Sequence, residues 1–474
     1  VRIGGQLTSL ENPKGGALTD FLLTNIAYGL SGRAGAAERF SGAIRIRDGV
    51  IAEMGELAPE AGERVIDASG AVVSPGFVNT HHHLFQSLMK SIPATINRGL
   101  DDWVMEGPYR FWPTLTAEAM RVSVTVGLAE LALSGTTTVS DHHYIFSDRY
   151  DYDPAEVLVQ TAARFGLRFV LGRGGLTHGR PWHQAGLPPA PAESFDDFQS
   201  GVQTAAHRWH DPSPTAMLKV ASTPVTTLFN FREEEVREMA EAARHLGLRM
   251  HTHLSENDTY VEAALERYGR RPVHWMADQG WTGSDVWFAH LVKCDHDELS
   301  LLAQTGTAMA HCPQSNARLG SGIAPAPGFD AMGGIVSLGV DGTSANEAGD
   351  MAQALYAAFT LHRGIGGPSA TRAETVLHWA TAGGAAALGF DGIGTLEVGK
   401  AADIIVIDLQ HPRYFGQHDP TIAPIISGGE FRIRHSFVAG REIVLDGRIP
   451  WLDLEQLGAD AARIVGAMKA AAAG

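Results

Sequence analysis

The segment Pro75-Gly76-Phe77-Val78-Asn79-Thr80-His81-His82-His83 is a short apolar stretch that ends in histidines. Successive side chains of an extended chain point to opposite faces, so His81 and His83 converge on one side while His82 looks away. That is half of a metal site. Three later segments supply the rest: Arg249-Met250-His251-Thr252-His253-Leu254-Ser255-Glu256, Phe288-Ala289-His290, and Leu338-Gly339-Val340-Asp341-Gly342. Three imidazoles and one carboxylate, those of His81, His83, His253 and Asp341, suit one divalent cation of borderline softness, Zn²⁺ or Fe²⁺ in a similar site, with a position left for water. Water so held approaches neutral acidity. Glu256, three residues past His253, is placed to accept its proton and pass it to a substrate. His290 suits a polarising or proton-handling role better than a ligand's, although a second metal would recruit it. Taken singly, a strand-end histidine is often a core residue and an Asp before Gly is often a turn. Taken together, these readings would need several independent coincidences.

The elements that must position these groups form a repeating pattern. From Val73 to Ala345 short apolar strands alternate with charged helical stretches, which indicates parallel βα units. Eight strands are predicted near residues 72–81, 136–142, 168–174, 217–223, 249–254, 286–290, 308–311 and 335–341. Eight such units predict a closed (β/α)8 barrel. Nearly every candidate ligand or acid/base group falls at the C-terminal end of a strand, where barrel active sites gather. The flanks instead carry short alternating strands with turn signals such as Arg47-Asp48-Gly49-Val50 and Leu445-Asp446-Gly447-Arg448. The expected organisation is a small β-sandwich domain from residues 1–74 and 388–474, around a catalytic barrel at 75–387. Residues 181–191 are too proline-rich for a helix and read as a loop after the third strand. Residues 461–474 read as an alanine-rich helix, solvated or packed on the small domain.

Composition narrows the function. The 474 residues carry 37 Lys and Arg against 53 Asp and Glu, a net charge of −16. This balance argues against a nucleic acid or an anionic membrane as partner and favours a small neutral or weakly anionic ligand. A homo-oligomer is compatible with it. The only cysteines, Cys294 and Cys312, make neither a disulfide framework nor a Cys-x-x-Cys motif. They point to reduced thiols in a cytoplasmic protein and exclude the metal site of the cytidine deaminases. No signal-like segment and no apolar run of membrane-spanning length is read.

The combination Pro75-Gly76-Phe77-Val78-Asn79-Thr80-His81-x-His83, His253-x-x-Glu256, Ala289-His290 and Gly339-Val340-Asp341-Gly342 resembles the amidohydrolase superfamily, in its branch of mononuclear-metal deaminases and chlorohydrolases acting on nitrogen heterocycles. The stretch 394–403 resembles the return of such chains to their β-sandwich domain. The resemblance implies metal ligation by His81, His83, His253 and Asp341, and proton handling by Glu256, His290 and Asp341. Two departures inform. The fourth strand ends in Ala221-Ser222-Thr223, without the lysine of binuclear relatives, which favours one metal. Trp112-Pro113 runs into Thr114-Leu115-Thr116, without the glutamate that grips ribose in nucleoside deaminases, although Glu106 is near.

On the catalytic face the expected substrate-binding residues are Gln86, Arg173, Trp112, Tyr144, His178 and Asn316. A glutamine at the spacing of Gln86 contacts the base in related guanine-type deaminases. Arg173 offers a fork of donors to a carbonyl or enolate oxygen. Trp103, Trp112, Trp182 and Phe85 offer flat walls for stacking. The loop with His178 and the run His311-Cys312-Pro313-Gln314-Ser315-Asn316 resemble the subgroup that deaminates 8-oxoguanine and oxidised pterins such as isoxanthopterin. The resemblance therefore implies hydrolytic release of ammonia from a 2-amino-4-oxo bicycle, with the pterin favoured. The alternatives are 8-oxoguanine or guanine deamination, s-triazine chloro- or aminohydrolysis, and a catalytically silent assembly protein.

Overall fold

The computed structural model describes residues 20–33, 39–180 and 186–473. Its larger unit is built on eight parallel strands: β1 Phe77–Asn79, β2 Thr136–His143, β3 Arg168–Gly175, β4 Leu218–Pro224, β5 Arg249–Leu254, β6 Val286–His290, β7 Ala308–His311 and β8 Val336–Leu338. Each pairs with its sequence neighbour. The ring closes between β8 and β1, where Thr80 N–H donates to Leu338 C=O at 3.0 Å and Asp341 N–H donates to His81 C=O at 3.0 Å. Helices between strands start at side chains suited to their free N–H groups. Thr116 caps Ala117–Leu133, Ser194 caps Phe195–Trp209 and Asn257 caps Asp258–Tyr268. The expected (β/α)8 barrel beside a small β-sandwich domain formed from both chain ends is borne out, the small domain's strands joining in one mixed sheet.

Small residues leave the barrel interior room for a few large ones. Ala221, Ala308 and Ala310 pack with Val78, Val170 and Trp287. The Trp287 indole N–H crosses the interior to Thr80 C=O at 3.1 Å, so the barrel is plugged beneath its C-terminal mouth. The strand-end histidines lie above this floor.

The second unit is one eight-stranded mixed sheet, with five strands from the N-terminal side and three from the C-terminal side. Its strand Ala71–Pro75 pairs antiparallel with Ile404–Asp408. The single strand expected over 72–81 is therefore two, parted at Gly76. A Cβ at Gly76 would lie 2.1 Å from the Thr137 side chain, so only glycine lets the chain pass from one sheet to the other so tightly. A buried ion pair joins the units, with Arg168 Nε 2.6 Å from Asp403 Oδ2. The C-terminal helix begins earlier than expected, spanning Leu454–Ala473, and packs on the barrel helix Ala117–Leu133 rather than on the small unit. Its Ile464 and Met468 are buried there and give it an apolar face that the alanine count concealed. Among the described residues no helix is long and apolar enough to cross a membrane.

Candidate active site

All the strand-end groups meet at the barrel's C-terminal mouth. His81 and His83 lie just past β1, His253 is in β5, Glu256 follows it, His290 ends β6 and Asp341 lies past β8. The backbone turns sharply at these ends. Ser255, His290 and Asp341 have φ of 51°, 76° and 65°, a left-handed conformation uncommon outside glycine and concentrated at functional sites.

Hydrogen bonds on the far side of each ring fix where its proton sits. His83 Nδ1–H donates to His142 C=O at 2.7 Å, and His253 Nδ1–H donates to Val225 C=O at 2.5 Å. His251 Nδ1–H donates to Trp287 C=O at 2.8 Å, so its Nε2 accepts from His81 Nδ1–H at 2.8 Å. In the neutral rings Nε2 of His81, His83 and His253 is then a bare lone pair. Burial pushes the imidazoles of His81 and His253 down, His253 well below its usual value, which keeps them neutral as ligands must be.

These lone pairs face one another with no proton to share. His83 Nε2 lies 3.1 Å from His253 Nε2, and Asp341 Oδ1 lies 3.3 Å from His83 Nε2 and 3.4 Å from His81 Nε2. The His81 Nε2 atom is buried and has no hydrogen-bond partner among the described residues. Four buried electron-pair donors packed this closely repel unless a cation lies among them, and their chemistry fits one divalent metal ion.

Glu256 and His290 stand beside this cluster. The His290 Nδ1 accepts from the Asn316 amide at 2.9 Å, which leaves the proton on Nε2, 3.4 Å from Glu256 Oε2. Burial pushes His290 down to about 3, so this ring is a neutral donor. Burial, reinforced by the Asp341 charge, holds the Glu256 carboxyl well above the usual range, a setting that suits a group trading protons near neutrality. His83, His253, His290, Glu256 and Asp341 line a small cavity of about 30 Å³. Leu100, Trp103, Val104, Leu319 and Arg180 line it elsewhere.

The expected substrate-binding residues divide. Tyr144 lines the cavity, and Gln86 lies behind it, its amide 3.3 Å from the Tyr144 hydroxyl. Asn316 is not against the cavity but holds His290 in place. Arg173 is outside it. On β3 alternation sends its side chain outward to the helix layer, where it pairs with Glu193 at 2.7 and 2.8 Å and stacks on Phe146 at 3.7 Å. Trp112 also packs elsewhere, its indole N–H bound to Pro189 C=O at 3.0 Å, and Trp103 takes the cavity wall instead. His178 is exposed at the start of its loop and does not line this cavity. Trp182 lies outside the described residues.

Three participants had no role assigned from sequence. His251 orients His81, and His142 brings an unpartnered Nδ1 into the histidine cluster. His142 lies near the end of β2, and His251 precedes His253 by two residues on the same face of β5. Arg180 enters the cavity from an irregular loop and carried no periodic signal. At the end of β4, where binuclear relatives were expected to hold a lysine, Ser222 and Thr223 stand, and Lys219 instead donates to Gly389 C=O at 2.6 Å.

A barrel whose mouth gathers buried histidines, an aspartate and a glutamic acid fitted to hold a metal ion defines a metal-dependent hydrolase. The amidohydrolase family model matches residues 72–443, and the chain belongs to that family. It is 44% identical to isoxanthopterin deaminase of an unknown prokaryotic organism, over 94% of this chain and 96% of that protein. It is 34% identical to 8-oxoguanine deaminase of Pseudomonas aeruginosa, over 88% of this chain and 92% of that protein. Among solved structures, the atrazine chlorohydrolase of Arthrobacter aurescens TC1 complexed with zinc superposes with a TM-score of 0.87 at 27% identity, covering 94% of this chain and 100% of that one.

Proposed function

We propose that this protein is an aminohydrolase that uses one divalent ion, Zn²⁺, to deaminate a 2-amino-4-oxo bicyclic heterocycle, with an oxidised pterin such as isoxanthopterin as substrate. The observation that carries the reading is the convergence of three bare Nε2 lone pairs and the Asp341 carboxylate beside the buried Glu256. Likeness to an isoxanthopterin deaminase supports the choice of heterocycle, and a zinc-complexed family structure supports the choice of metal. His81, His83, His253 and Asp341 would hold the ion, which supplies Lewis acidity that brings water within reach of deprotonation at neutral pH.

The remaining chemistry belongs to side chains. Asp341 and Glu256 take protons from the attacking water as its oxygen bonds to the amidine carbon. Glu256 delivers one to the ring nitrogen, while the Nε2–H of His290 steadies the charge that builds on the entering oxygen. The tetrahedral carbon then loses its amino group, which takes the proton held by Asp341 and leaves as ammonia, and a carbonyl replaces it. Trp103 and Tyr144 hold the flat rings. The test is ammonia release by metal-analysed protein from isoxanthopterin, pterin, 8-oxoguanine, guanine and chlorinated triazines. Turnover of the 2-amino-4-oxo bicycles with triazines spared is expected. Preference for the triazines would overturn the reading.

A further inference from the structure

Arg173 was the guanidinium expected to read a substrate oxygen, and it is engaged by Glu193 outside the cavity. Among the described residues lining the cavity, the one cationic side chain is that of Arg180. It is 8% exposed, stacks over Phe229 at 5.3 Å, and lies 3.3 Å from Asp101 Oδ1. Asp101 sits on the short helix Leu100–Glu106, whose Leu100, Trp103 and Val104 wall the cavity. Its other oxygen accepts from Asn257 at 3.3 Å and Thr259 at 3.1 Å, so the carboxylate pins together the loops that follow β1, β3 and β5.

The position decides which part of a ligand this cation meets. The reacting groups stand at or just past the strand ends, whereas Arg180 lies five residues beyond the end of β3, on a loop that lines the same cavity. A bicycle that presents its 2-amino carbon to the strand ends must turn its other ring toward the loops. We propose that Arg180 is a specificity-determining residue that recognises an oxo or enolate oxygen on the ring remote from the amidine carbon, with Asp101 as its positioning residue. This rests on the aminohydrolase reading and sharpens it. The site selects bicycles oxidised on the far ring over the same bicycle without that oxygen. Arginine suits the task because its planar fork stays charged when buried and matches an anionic oxygen with two donors. Its charge also opposes the burial effect on Glu256, which places the guanidinium within electrostatic reach of the reacting groups.

The test compares isoxanthopterin, which carries the far-ring oxygen, with pterin, which lacks it. In Arg180→Met the ratio of kcat/KM for isoxanthopterin over pterin should fall by about 30-fold, the size expected for losing charged hydrogen bonds. Arg180→Lys, which keeps the charge and folds more readily in place, should fall between the two. Asp101→Asn should raise KM for isoxanthopterin while leaving its kcat within about 3-fold. An unchanged ratio in both Arg180 variants would overturn the proposal. Binding separates it from the reaction. With Glu256→Gln in every protein to block turnover, isoxanthopterin fluorescence should report about 30-fold weaker binding when Arg180→Met is added. That loss would sustain the role of Arg180 even if the native protein releases no ammonia from isoxanthopterin, a result that would sink only the deaminase reading. Equal binding with and without Arg180 would overturn the proposal whatever the activity.

Discussion

His290 Nε2 lies 3.4 Å from Glu256 Oε2, and the Asn316 amide behind the ring keeps the proton on that nitrogen. The two groups therefore face the cavity as a fixed donor beside a buried carboxyl. Glu256→Gln keeps the shape and the metal ligands and removes only the proton transfer. Turnover should drop by about 10²- to 10⁴-fold with metal content unchanged. Metal analysis together with steady-state kinetics checks this, and near-normal turnover would place the proton shuttle elsewhere.

The ring of His251 lies between the metal site and the barrel floor, accepting from His81 and donating to Trp287 C=O. Without it, His81 has no partner that forces its Nε2 lone pair toward the ion. His251→Ala should weaken metal affinity by about 10- to 100-fold, measured by competition with a chelator. In the native protein, chelation should abolish activity and one equivalent of divalent ion should restore it. Unaltered affinity in the variant would show that the ligands hold their orientation without this support.

Arg173 tests the assignment made by the fold against the one made from sequence. Arg173→Met strands the Glu193 carboxylate, whose side chain is only 11% exposed, so the cost should be about 3 kcal/mol of stability. The kcat/KM of the folded variant should stay within about 3-fold of native. Denaturant midpoints and kinetics on one preparation distinguish the outcomes. A selective loss of substrate affinity would return Arg173 to the site.

Asp350 supplies a pH prediction away from the metal. It caps the helix Met351–Gly366, and burial pushes its carboxyl up from 3.8 to about 6. The unfolded chain thus ionises first as pH rises, while the folded protein still holds the proton. The group's contribution is fully present below about pH 4 and is lost by about pH 6, a change on the order of 2–3 kcal/mol. Asp350→Asn does not titrate, so the melting temperature of the native protein should fall relative to the variant across this window. A constant difference from pH 4 to 7 would show that Asp350 ionises alike in both states.

Much of the site was legible in the chain because strand periodicity and barrel topology are both local rules. A histidine two residues from another on an extended segment shares its face, and a charged group after an apolar run sits at a strand end. His81, His83, His253, Glu256, His290 and Asp341 could therefore be located from order alone. Trp112, His178, Asn316 and Arg173 could not be sorted, because these residues depend on which neighbour fills the space beside them. For Arg173 that neighbour is Glu193, twenty residues on in the chain.

What the sequence by itself determined is the set of donors, their order along eight strands, and the acidic, small-ligand character of the molecule. Those follow from side-chain chemistry and the two-residue repeat of an extended chain. Only the tertiary structure decided which nitrogen of each histidine is bare, which arginine reaches the cavity and where the first strand breaks. Each of those depends on a contact between segments far apart in the chain: His81 with His251, Arg180 with Asp101, Gly76 with Thr137. Packing selects such partners from many candidates of equal chemistry, and no local pattern in the chain records the choice.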